Sequence, residues 1–121
     1  MSKHDIRNKA DIELMMRTFY GSLLTNDTIN PVFAHTDFEA HMPHMIAFWS
    51  FVLLDEKGYK TNVFEKHVHL DIKQEHFAIW LHHFMKTVDD LFEGEKAGLA
   101  KQRAQTIAYT FEMKLKQMGR I

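Results

Sequence analysis

The stretch EAHMPHMIAFWSFVLL, residues 39–54, decides the fold. Met42, Met45, Ile46, Trp49, Val52 and Leu53 recur at intervals of three and four, and Phe48 widens the stripe. That period is the apolar face of an α-helix. Pro43 has no N–H to donate, so it must lie in the first turn or force a kink. The mostly apolar run within this stretch, Met45 to Leu54, is about ten residues, whereas a bilayer span needs roughly 20. No membrane segment is therefore expected.

Working outward, the same period returns on both sides. Toward the N-terminus a helix is expected from about Asn8 to Leu24, with Ile12, Met15, Met16, Phe19, Tyr20, Leu23 and Leu24 on one face. Asn8 followed by Asp11 suits its N-terminal cap. Asn30-Pro31 starts a single turn carrying Val32 and Phe33, with proline at the first helical position. Toward the C-terminus a short helix is expected from Asn62, where Asn62 and Glu65 have capping-box spacing. Two long helices close the chain. One covers about 73 to 92, with Phe77, Trp80, Leu81, Phe84, Val88 and Leu91 facing in; the other covers about 96 to 118, with Leu99, Ala104, Ile107, Ala108, Phe111 and Leu115. No segment alternates at period two, so the fold class read from the sequence is all-α.

At 121 residues the chain holds one core, hence one domain over 1–121, with residues 1–7 a disordered start or short extension. Lys plus Arg number 15 against 16 acidic residues, which argues against nucleic acid as a partner. The absence of cysteine removes disulfides, cysteine-held zinc, iron–sulfur clusters and covalent c-type haem. It also suits a reducing compartment, and with a polar start the expected location is cytoplasmic. The 9 histidines and 10 phenylalanines give a helical interior suited to a flat apolar cofactor with an imidazole ligand.

Among the histidines, His67 sits on the apolar side of the short helix between Phe64 and Leu70. It reads either as a half-buried histidine bonded to a carbonyl or as an axial ligand offering Nε2 to iron. His41 opens the 39–54 helix on its apolar stripe, and His41 with His44 forms a two-ligand pair short of a zinc site. His82 and His83 are adjacent, so at most one faces inward; His4, His35 and His76 read as surface residues. Tyr20 and Trp80 place polar tips on apolar faces, which is commonly plain core packing. With His41 they make three potential donors inside a Phe- and Met-rich interior. There is no H-E-x-x-H, no Gly-rich phosphate loop and no G-x-S-x-G elbow.

Several motifs in order resemble the group III truncated haemoglobins. Phe19-Tyr20 matches that family's Phe-Tyr in its first long helix, and HMPHMIAFW at 41–49 matches H-x-P-x-M-x-x-F-W. YKTNVFEKHVHL at 59–70 is similar to Y-x-G-N-x-F-x-x-H-x-x-L, with Thr61 in place of the glycine. FAIWLHHF at 77–84 and AKQRAQTIA at 100–108 match F-x-x-W-L-x-x-F and A-K-x-R-A-x-x-I-A. The likeness covers roughly residues 8 to 118.

The resemblance implies a truncated globin, a two-over-two helical sandwich around non-covalent haem b. It implies His67 as the proximal iron (metal) ligand and Tyr20, His41 and Trp80 as distal ligand-binding residues. Phe33, Met45, Phe48, Trp49, Val63 and Phe64 are then the expected haem-contacting wall, and Lys66 an expected propionate partner. The ligands implied are O₂, NO, CO or similar, with an unidentified electron donor as a further partner. A hydrogen bond to a charged acceptor is worth ~1.5–3 kcal/mol, or roughly 10- to 150-fold in dissociation. Donors at Tyr20 and Trp80 therefore predict slow O₂ release, which suits redox chemistry or sensing better than transport. Peroxidase-like or nitrogen-oxide redox turnover is compatible with this set, but no second cofactor fold marks a dedicated enzyme. The competing reading is a non-haem helical bundle that binds a protein or a zinc ion.

Overall fold

The computed structural model describes residues 3–56 and 72–121. Four α-helices carry the described chain: α1 (Lys9–Leu23), α2 (Phe38–Leu54), α3 (Gln74–Leu91) and α4 (Glu95–Gln117). A 3-10 turn, Asn30–Phe33, links α1 to α2, and no strand is present among the described residues. Each expected boundary of these helices falls within a residue of the observed one. The short helix expected from Asn62 lies outside the described residues, together with Val63, Phe64, Lys66 and His67.

The caps explain where the helices start. Asn8 accepts the Asp11 N–H at 3.0 Å, as its sequence position suggested. Asp37 accepts the Ala40 N–H at 3.2 Å and starts α2 at Phe38. That early start leaves Pro43 in the second turn, not the first. The proline gives up the bond that the Glu39 carbonyl would have accepted, on a side where both residues are exposed to water. Asp55 ends α2 in the left-handed region at φ 57°, with its N–H donated to the Ser50 carbonyl. His76, expected at the surface, is instead buried at the start of α3, where its Nδ1 accepts the Lys73 N–H at 2.9 Å. A ring nitrogen here fills the role that a hydroxyl or carboxylate usually takes, and burial comes with satisfying an orphan helix donor.

The helices pack as two pairs. α1 lies against α2 and α3 against α4, and the pairs meet where α1 touches α3 and α2 touches α4. This is the expected two-over-two arrangement. The centre is Phe19 with Ile12, Met15, Met16, Leu23, Trp49, Leu53, Phe84 and Val88. α4 turns Ala97, Ala100, Ala104 and Ala108 inward, a row of small side chains that lets its backbone approach closely. Leu99, Ile107 and Phe111, expected to face in, flank that row half-buried. No helix among the described residues is long and apolar enough to cross a membrane.

Before α1 the chain is held firmly. Ile6 enters the core, and the Asp5 carboxylate reaches across to the start of α4. It accepts the N–H groups of Lys96 at 2.9 Å and Ala97 at 2.8 Å, which α4 cannot pair internally. Gly94, at φ 134°, lets the chain pass directly under that carboxylate: a Cβ there would stand 2.7 Å from Asp5 Cγ.

Candidate functional site

Where α1, the 3-10 turn, α2 and α3 converge, aromatic rings gather around Tyr20. Its ring centroid lies 4.9 Å from Phe38, 4.7 Å from Phe19 and 6.3 Å from Phe33. Phe33 and Phe38 also touch, at 5.7 Å. Trp80 enters from α3, edge-on to Phe19 at 5.7 Å and stacked on Phe84 at 5.6 Å. Such offset and edge-to-face pairs hold ring directions firmly.

Burial pushes the Tyr20 phenol up to about 12, and a hydrogen bond from the Trp80 side chain pulls the other way. Burial wins, so the hydroxyl keeps its proton at neutral pH. Indole nitrogen is a donor only. In that interaction the indole can only be the donor and the phenolic oxygen the acceptor, which leaves the phenolic proton to be donated elsewhere. A hydroxyl that accepts one hydrogen bond is a stronger donor in the next.

The surroundings fall into two kinds. Phe19, Trp49 and Phe84 are 1%, 5% and 0% exposed and belong to the core. Tyr20, Phe33, Met45, Phe48 and Trp80 pack against that core but keep part of their surface uncovered. So the structure brings together Tyr20, Trp80 and Phe33, and leaves Met45 and Phe48 on the half-covered side of α2. Trp49 is deeper than the expected wall, stacked on Phe84 at 4.9 Å. His41 is half-buried on α2 with its ring 6.5 Å from that of His44. Among the described residues no three His, Cys, Asp or Glu side chains gather as a metal site, so His41 and His44 remain a pair.

Two contributors were not read from the sequence. Phe38 completes the ring cluster, and its signal was the Asp37 cap that draws it into α2. Ser22 and His83 join across the α1–α3 crossing, with 2.8 Å between Ser22 Oγ and His83 Nδ1. The pairing spans 61 residues, and nothing local announces it. His82 is exposed, so one histidine of the adjacent pair turns inward, as expected.

No family model matches the chain. It is 28% identical to the group 3 truncated hemoglobin ctb of Campylobacter jejuni, over 97% of this chain and 98% of that protein. The crystal structure of a group III truncated hemoglobin from Campylobacter jejuni superposes with a TM-score of 0.82 at 29% identity. That superposition covers 93% of this chain and 94% of the other. The four described helices, their two-over-two packing and a likeness running nearly end to end agree: the chain has the truncated-globin fold and is similar along almost its whole length to group III truncated haemoglobins.

Proposed function

We propose that this chain is a haem protein that binds O₂ and other diatomic ligands, releasing O₂ slowly enough to favour redox chemistry or sensing over transport. The observation that carries the reading is the Tyr20–Trp80 pair: a buried phenol, proton-bearing at neutral pH, supported by an indole donor. The half-covered side chains beside it suit a flat apolar group. Phe33, Met45 and Phe48 would meet its faces and edge, with Trp49 giving stiffness from behind. Val63, Phe64, Lys66 and His67 enter the proposal from their sequence positions. His67 would hold the iron, Val63 and Phe64 would complete the wall, and Lys66 would pair with a propionate.

Haem b, the non-covalent form that a cysteine-free chain accommodates, supplies an iron centre with a coordination position for a diatomic molecule. The chain's own residues do the rest. Tyr20 donates its proton-bearing hydroxyl toward negative charge on the ligand. Trp80 steadies that hydroxyl and strengthens it. The aromatic wall excludes water, so the hydrogen bond acts in a low dielectric. His41, half-buried at the start of α2, stands where a ligand gate or a proton donor near neutral pH would be needed. An electron donor and a cytoplasmic setting belong to the same proposal.

Reconstitution with hemin tests it. The expected result is stoichiometric uptake with a strong band at the blue edge of the visible, lost in His67→Ala. Protein that stays colourless after reconstitution overturns the haem reading. Normal five-coordinate ferrous spectra in His67→Ala overturn the ligand assignment.

A further inference from the structure

Helix α4 turns its alanine row inward and a second row outward. From the N-terminal end, Glu95, Gly98, Gln102 and Gln105 are exposed on the side away from the alanines. From the C-terminal end, Lys116, Met113, Tyr109 and Thr106 are exposed on that same side. At 100° per residue all of them fall within about 100° of arc. The spacing is three, four and three from either end, so the row reads alike in both directions. Charge is confined to its tips, an acid at one and a base at the other, in a chain that is 26% charged. Among the described residues neither Glu95 nor Lys116 makes an ion pair.

The chain's own packing does not account for the middle of this row. Tyr109 is 65% exposed and Met113 36%. Gly98 lies inside the helix, where glycine is unfavourable relative to alanine. Yet a Cβ there would meet nothing within 4 Å. No neighbour in the chain demands the bare position; a helix laid across it from outside would.

We propose that this row is the contact of a weak homodimer, in which a second copy lays its α4 antiparallel on the first about a two-fold axis at Gln105 and Thr106. A two-fold contact requires a patch that matches its own reverse, and the palindromic spacing provides one. In this register Glu95 stands level with Lys116 of the second copy, Gly98 with Met113, and Gln102 with Tyr109, each pairing occurring twice. The charged tips set the register. Gly98 leaves room for the thioether, and the Gln102 amide offers the phenol a hydrogen-bond partner. A slide of one turn that takes Glu95 from Lys116 to Glu112 replaces attraction by repulsion. A single helix pair covers less than the ~1,600 Å² of a standard interface, so a Kd on the order of 0.1–1 mM is expected.

Sedimentation equilibrium of the protein as purified tests this, at low ionic strength and from about 20 µM to about 2 mM, a range that spans the expected Kd. Wild type should pass from monomer toward dimer. Tyr109→Glu, at an exposed site, should raise Kd at least about tenfold. Glu95→Lys and Lys116→Glu should each weaken association about three- to tenfold alone, because like charges then meet at both tips. Mixed in equal amounts, those two variants should recover the wild-type Kd, since opposite charges face each other again. Wild type that stays monomeric at the highest concentration overturns the proposal. So does dimerisation that survives Tyr109→Glu, which puts the contact on another face. Single charge variants with wild-type affinity, or a mixture no tighter than either variant alone, overturn the antiparallel pairing and the proposal with it. None of these readouts needs haem, so they stand apart from the outcome of hemin reconstitution.

Discussion

The wall around Tyr20 and the clamp around Asp5 use polar groups in opposite ways. At the clamp every polar atom has a local structural duty. The Asp5 carboxylate accepts N–H groups from Ile6, Lys96 and Ala97 at 2.8, 2.9 and 2.8 Å, and Gly94 is bare so that it can. At the wall Tyr20 accepts from Trp80 and has a proton left over, among side chains the core leaves half-covered. Satisfied polarity marks scaffold; the proposed site instead sets a hydroxyl proton beside partly uncovered aromatic surface. The two regions border one hydrophobic core, so substitutions should separate them by what they change.

Phe84→Ala should break both. Phe84 is fully buried and touches Phe19, Trp49 and Trp80, so its truncation leaves a cavity at the common centre. A loss of about 3–5 kcal/mol in denaturant unfolding is expected, with ligand-binding disturbed as well. Tyr20→Phe should break only the wall. Stopped-flow O₂ release from the reduced protein should quicken roughly 10- to 150-fold, while stability moves by no more than about 1 kcal/mol. An unchanged release rate would remove the phenol from the distal site.

Gly94→Ala should break only the clamp. Its backbone angle and the 2.7 Å approach to Asp5 together predict a loss of about 1–3 kcal/mol, with O₂ release unaltered. Asp5→Ala sharpens the same contrast with a loss of about 1 kcal/mol, as for other helix caps. Its pH dependence has a definite sign. Burial raises the Asp5 carboxyl, but the backbone N–H groups of Lys96, Ala97 and Ile6 outweigh it and leave the folded value below the ordinary 3.8. Its contribution is therefore complete above that ordinary value and lost as pH falls through the lowered one. Thermal melts of wild type and Asp5→Ala should converge in acid.

Local periodicity made the helices legible. The three-and-four spacing in 39–54 and its neighbours placed α1, α2, α3 and α4, and Asn8 announced its own cap. Tyr20 and Trp80 stood out for a different reason: each sits inside a longer motif resembling a known family. What the sequence withheld is mostly long-range. Asp5 caps a helix 91 and 92 residues away, and Ser22 finds His83 across 61. No periodicity encodes such pairs, because either partner alone looks like an ordinary surface residue. His76 differs from its expected surface place for a local reason, an imidazole doing the work of a carboxylate at the start of α3, and Pro43 falls beyond the first turn because Asp37 begins α2 early.

The upward displacement of the Tyr20 phenol bears on how any preparation should look in alkaline solution. A phenol so reluctant to ionise would offer no phenolate to a bound iron under mildly basic conditions. Colour changes in a haem-loaded preparation on modest alkalinisation would then be expected to originate with water or another side chain, the Tyr20 hydroxyl still carrying its hydrogen.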